Sequence, residues 1–138
     1  MRKILAILFL GLTAFTAEIS QPVKTISADA NVISSNLVDE NLYLGTDEGT
    51  VNIYDIKADK FLPAINLPKK KAYFSDEASS RVFSIDRLGD KLLVLAELSY
   101  DERRLFIYKF DGEKFNEVAN FLTPNKSAKK ALFSDEHT

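Results

Sequence analysis

No cysteine occurs anywhere in the 138 residues, tryptophan is missing as well, and histidine appears once, as His137. Each absence closes a class of chemistry. Without cysteine there is no disulfide staple, no thiolate metal site and no cysteine-linked lipid anchor. One histidine next to the end supplies no histidine-rich metal site, and a catalytic triad has no other imidazole to use. The chain also lacks a phosphate-cradling loop, a Gly-x-Ser-x-Gly elbow and a His-Glu-x-x-His pair. Carboxylates are plentiful, so the residues leave a glycosidase-type pair open. Acidic residues in turns are nevertheless ordinary.

Positive charge is the minority sign. Lys and Arg number 18 against 20 Asp and Glu, for a net charge of −2. The only long apolar run is at the start. Arg2 and Lys3 form a positive n-region, Ile4 to Leu12 an apolar h-region interrupted by Gly11, and Thr13-Ala14-Phe15-Thr16-Ala17 a small-residue zone. This layout predicts a secretory signal peptide over residues 1–17, too short for a spanning helix. Ala17 suits the residue before the cut, while Phe15 fits poorly two positions earlier. Removing residues 1–17 leaves 16 basic against 20 acidic residues, a net −4. That sign argues against a nucleic-acid partner, whose phosphates demand a basic face. The expected address is the bacterial periplasm, with no membrane span after cleavage. Asn125-Lys126-Ser127 matches a glycosylation sequon, a pattern short enough to arise by chance.

Repetition dominates what is present. Lys70-Lys71-Ala72-Tyr73-Phe74-Ser75-Asp76-Glu77 returns as Lys129-Lys130-Ala131-Leu132-Phe133-Ser134-Asp135-Glu136, 59 residues on with seven of eight identical. Val32-Ile33-Ser34 is answered by Val82-Phe83-Ser84, and Asn41 to Gly45 by Lys91 to Leu95, both at 50. Ile53-Tyr54 is answered by Ile107-Tyr108, and Lys60-Phe61 by Lys114-Phe115, both at 54. The offset drifts where loops are expected, here a longer hairpin tip over Leu98 to Arg103 and extra residues around Thr123 to Ser127. Insertions in true repeats behave this way.

Within each repeat the pattern reads as short strands. Val32 to Leu37, Leu42 to Thr46, Thr50 to Ile56 and Phe61 to Leu67 are separated by turn clusters at Asp39-Glu40-Asn41, Asp47-Glu48-Gly49 and Lys57 to Lys60. Pro63 marks the last of them as an edge strand. Val23 and Ile26 give only a weak pattern for a further short strand after Pro22. No helical period appears beyond the signal segment. Leu92 to Leu95 and Val51 to Ile56 carry apolar residues on both faces, as a sheet covered on both sides requires.

Four short strands per unit of about 50 residues predict an all-β chain of β-propeller blades, WD40-like, in about two repeats. Repeat 1 covers about residues 30–77 and repeat 2 about 80–136, within a partial propeller over 18–138. Tyr54 stands where the tryptophan of a Trp-Asp pair falls, and Ile107-Tyr108-Lys109 lacks the aspartate. Two blades leave faces and edges open, and propellers close with four or more. The expectation is therefore the N-terminal part of a longer propeller, or a chain that completes a ring by self-association.

The candidate interaction rim consists of Ser75, Asp76, Glu77, Ser134, Asp135 and Glu136, with Lys69, Lys70 and Lys71 beside it. The polar corners could bind a protein partner or a hard cation. The blander reading is a recurring turn in which Phe74 and Phe133 plug the core, and stacked repeats that need one corner geometry favour it. The lysines are either a basic strip facing an acidic partner or a solvated loop after an edge strand. Phe61, Phe83, Phe106, Phe110, Phe115 and Phe121 read as core. A quinone-dependent dehydrogenase of propeller fold would carry tryptophan docking residues, and none exists here.

The run Leu42 to Lys57, Leu-Tyr-Leu-Gly-Thr-Asp-Glu-Gly-Thr-Val-Asn-Ile-Tyr-Asp-Ile-Lys, followed by Asn66-Leu67-Pro68-Lys69, resembles the NapL family. So do Arg81 to Asp86 and Arg103 to Tyr108. These are WD40-like accessory proteins of the periplasmic nitrate reductase system. The likeness covers roughly residues 40–115 and the signal peptide. It implies a non-catalytic auxiliary supporting reductase maturation or electron supply, with no cofactor of its own and reductase subunits as partners. The alternatives are an interaction scaffold of another envelope system and a propeller hydrolase or lyase.

Overall fold

The computed structural model describes residues 24–69, 79–99 and 102–134. These residues form two four-stranded antiparallel sheets and contain no helix. The first sheet has the order β1 (Val32–Val38), β2 (Asn41–Thr46), β3 (Thr50–Asp55), β4 (Lys60–Asn66). The second repeats it with β5 (Arg81–Leu88), β6 (Lys91–Ser99), β7 (Glu102–Phe110) and β8 (Phe115–Leu122). Each strand pairs with the one before it in sequence, because every connection inside a sheet is a hairpin.

The turns explain the hairpins. Asp39 (φ 56°) and Gly89 (φ 63°) take the same left-handed position 50 residues apart, each opening a two-residue turn. The ladders also end alike. Ile56 N–H donates to Glu40 O at 2.9 Å, and Phe110 N–H to Asp90 O at 2.8 Å. Pro63 lies where the β3–β4 register shifts, so its missing N–H removes no ladder bond.

Several expectations are corrected in detail. Residues 24–31 form no strand. The second repeat has no long tip over Leu98 to Arg103: β6 runs to Ser99 and β7 begins at Glu102, so the added length is strand. Lys114-Phe115 does not stand for Lys60-Phe61. Phe61 pairs with Tyr54, whereas Glu117 pairs with Tyr108, which shifts β8 by two residues. Asp111 provides the turn carboxylate that position 109 lacks. Its Oδ1 accepts from the N–H groups of Glu113 (2.8 Å) and Lys114 (2.9 Å), and its Oδ2 from Asn116 (2.8 Å).

The backbone amides of Lys114 and Glu113, then the Asn116 amide, hold the Asp111 carboxyl below the usual carboxylate range. A depressed carboxyl stabilises the fold above its unfolded pKa, and the effect disappears as pH falls through the folded value. Asp111→Ala should therefore lower the melting temperature near neutral pH and do so progressively less below about pH 4. Thermal melts across that range check it.

Candidate functional site

The two sheets stack through a joint that the period-two alternation of the strands makes predictable. Call the side of each sheet that looks toward higher residue numbers its front. The front of the first sheet carries Tyr43, Gly45, Val51, Ile53 and Ile65, with Ser34 and Asn36 from β1. It meets the back of the second, where Leu92, Val94, Ala96, Phe106 and Tyr108 lie. All the apolar members belong to one buried cluster. β1 and β2 approach β5 directly.

Polar groups set the spacing of the joint. Ser34 Oγ donates to Val82 O at 2.7 Å, and Asn36 Nδ2 to Ile85 O at 2.9 Å. Arg87 reaches back over the rings of Tyr43 and Phe115, with its guanidinium carbon 5.9 and 5.6 Å from their centroids, and donates to the Tyr43 hydroxyl. Burial pushes the Tyr108 hydroxyl above its ordinary pKa, and the Glu117 carboxylate adds to the rise.

A second feature lies on the front of the second sheet. Residues 128–134 form no strand but cross this front as a strap that touches β5. Ala131 N–H donates to Ser84 Oγ at 2.9 Å and Phe133 N–H to Asp86 Oδ2 at 2.7 Å. Ser84 and Asp86 are the residues 50 beyond Ser34 and Asn36. The strap thus rests on the two β5 positions that correspond to the β1 positions touching β5, through N–H groups rather than carbonyls. Donor and acceptor invert at both contacts: aspartate can only accept where asparagine donates, and the Ser84 hydroxyl here accepts from an N–H where that of Ser34 donates to a carbonyl.

Arg103 fastens the strap. Its side chain is 10% exposed and pairs with Glu97 at 3.2 Å. The guanidinium lies 4.2 Å over the Phe83 ring and donates to Ala128 O, while Nε has no partner. Arg103→Ala should free the strap and speed tryptic cleavage after Lys129 and Lys130 severalfold. Arg103→Lys should restore only part of the protection, because an ammonium lacks the planar fork. Timed proteolysis reads both.

Of the rim residues, two fall within the described chain. Lys69 leaves the first sheet beside a cleft of about 310 Å³, over Leu98 and Phe106, with Arg104 and Glu117 on its edge. Ser134 is exposed at the end of the strap. They line different features. Lys70, Lys71, Ser75, Asp76, Glu77, Asp135 and Glu136 lie outside the described residues, as do Phe74, the signal segment 1–17 and His137. Phe133 is half-buried, and its backbone makes the contact with Asp86.

The reading of the aromatics as core needs correction. Phe106 and Phe115 are buried, Phe83 and Phe110 half-buried, and Phe61 and Phe121 exposed on the outward faces. A wider cleft of about 800 Å³ opens at the turn end of the joint, between Asp39, Asp55 and Arg87. Among the described residues no group of three or more His, Cys, Asp or Glu is placed to hold a metal ion.

Sequence reasoning missed Arg103, Ser84 and Asp86. The signal was there, since Ser34, Ser84 and Ser134 stand at an exact period of 50. The longer octapeptide match at 59 drew attention to a different register. Comparison with models of known protein families and with curated protein sequences gives no match. The likeness to NapL therefore rests on the strands quoted above.

Proposed function

We propose that the chain is a β-propeller-type protein-interaction module of the periplasm that supports a nitrate reductase system. One observation carries the module reading. Two sheets of identical order are joined front to back, through residues that recur at fixed offsets. Stacked repeats of this kind present extended surfaces on which a partner can sit. In this reading the chain is non-catalytic, and the propeller has more blades than the two described. The periplasmic address follows from the layout of residues 1–17.

The link to nitrate comes from the strand pair Leu42 to Lys57 and its NapL-like sequence. Propeller architecture by itself implies no client. The test is nitrate reduction by intact cells with and without the gene, alongside the amount of mature reductase. Lost activity with full levels of the catalytic subunit would place the protein in cofactor insertion or electron supply. Loss of the subunit itself would make it a stabilising partner. No change in either would overturn the nitrate link and leave an envelope scaffold with another client.

A further inference from the structure

Although acids outnumber bases along the chain, cations gather at one end of the second sheet. Arg81, Glu97 and Arg103 stand opposite one another on β5, β6 and β7, in a single row of the front. The one carboxylate of the row serves both guanidiniums. It lies 3.2 Å from Arg103 and 4.0 Å from Arg81. Both guanidiniums also pack on the Phe83 ring, Arg103 at 4.2 Å and Arg81 at 5.4 Å from its centroid. Arg103 is buried, whereas the Arg81 side chain is 52% exposed.

Residues 126–134 add cations to this row and no anion. The strap leaves Arg103 at Ala128 and reaches Ser84 at Ala131. Lys129 and Lys130 fill the span between, which the chain's reach limits to about 11 Å. Lys126 precedes it on a tight turn, where Asn125 Oδ1 accepts from Ser127 N–H at 2.9 Å. All three lysines are exposed, and none forms an ion pair among the described residues. Asp86, the next carboxylate along β5, is turned to Phe133 N–H. Five cations thus share one carboxylate.

Elsewhere the lysines are interleaved with acids. Lys24 pairs with Asp59, Lys109 approaches Asp90 at 3.8 Å, and Lys57 lies beside Asp55 at the turn end of the joint. Like charges without partners repel one another, and anions brought from outside relieve that repulsion.

We propose that the Arg81 row and the strap lysines form a docking surface for an acidic segment of a partner protein, a stretch rich in aspartate and glutamate. The inference rests on the interaction-module reading and names the chemistry of the partner. The occupant follows from charge and shape. The cations line neither of the clefts described above but run along an extended strap. Carboxylates spaced along an extended chain match that line better than one compact anion does. The exposed Arg81 guanidinium presents the planar fork that a carboxylate accepts.

A fluorescein-labelled octaglutamate peptide, titrated with the protein and followed by anisotropy, tests the surface. Binding should saturate at about 20 mM salt and weaken about tenfold or more at about 200 mM, where charges are screened within less than about 10 Å. Lys129→Glu with Lys130→Glu should weaken it about tenfold or more, and Arg81→Glu severalfold. Lys129→Ala with Lys130→Ala should give a smaller loss of the same kind. The control is Lys57→Glu with Lys60→Glu on the first sheet, which changes the net charge as much as the strap pair does. It should leave the affinity within about twofold, because the charges are lost at the wrong place. Arg103 is kept throughout, since it holds the strap.

Three results would each overturn the proposal: no saturable binding at low salt, an equal loss from the control pair, or tighter binding of phosphatidylglycerol vesicles than of the peptide. The last would assign the strip to a lipid surface. Nitrate reduction in cells reads the client and the peptide reads the surface, so either can fail without the other.

Discussion

Gly45→Ala should destabilise the protein by about 1–3 kcal/mol, the usual cost of forcing an extra carbon into a packed core, and Gly45→Val by more. A Cβ at this position would lie 2.3 Å from Ser34 Oγ and 2.5 Å from Val82 Cγ1. Neither neighbour can yield cheaply. Ser34 is tied to Val82 O, and Val82 is completely buried. The glycine is required by the close approach of the two sheets, since no positive φ accompanies it. Urea unfolding of Gly45→Ala, Val82→Ala and the double variant checks the cause. Val82→Ala alone should cost about 1.5–3 kcal/mol of lost burial. The double variant should cost clearly less than the two together, because the smaller side chain makes room for the new methyl. Simple additivity would mean that Gly45 acts elsewhere.

Tyr43→Ala should cost about 3–5 kcal/mol, as large aromatic truncations in cores do. The ring is fully buried and packs edge-on against Phe115, with centroids 6.3 Å apart and planes at 72°. It also carries Arg87, which would lose its ring face and its hydroxyl acceptor together. Tyr43→Phe keeps the ring and should cost about 1 kcal/mol, the net worth of one hydrogen bond. The comparison separates packing from polar anchoring. Because Tyr43 belongs to one sheet and Arg87 and Phe115 to the other, the alanine variant should also broaden the unfolding transition. Fluorescence and far-ultraviolet dichroism should then give midpoints that no longer coincide.

Much of the fold was legible because strands and hairpins are local. Leu-Gly-Thr-Asp-Glu-Gly-Thr-Val announces β2, its turn and β3 in eight residues. Pro63 announced an edge, and β4 is the last strand of its sheet. Apolar residues at every position of Leu92 to Leu95 announced a buried strand, and all four are buried. The limits of local reading appear at Phe61 and Phe121. Their composition suits a core, but their places on outer strands and outward faces leave them exposed. The mapping of Phe115 onto Phe61 failed for a similar reason. Two extra residues in the β7–β8 hairpin moved Phe115 into the joint, where it meets Tyr43 and Phe110.

The candidate surface was less legible than the fold. Sequence singled out the conspicuous octapeptide, whereas the described contacts run through Ser34, Asn36, Ser84, Asp86 and Arg103. Such residues look like ordinary polar positions on a strand until the next sheet arrives.

By itself the sequence determined that the chain is all-β, that it repeats, where its hairpins turn and which reactions its composition cannot support. Those properties depend on neighbours a few residues apart and on which side chains exist at all. Only the tertiary structure decided which face of each sheet is covered, why Gly45 must be small and what Arg103 holds. Each of these depends on the distance between groups some 25 to 50 residues apart in the chain, and alternation along a strand carries no information about that distance.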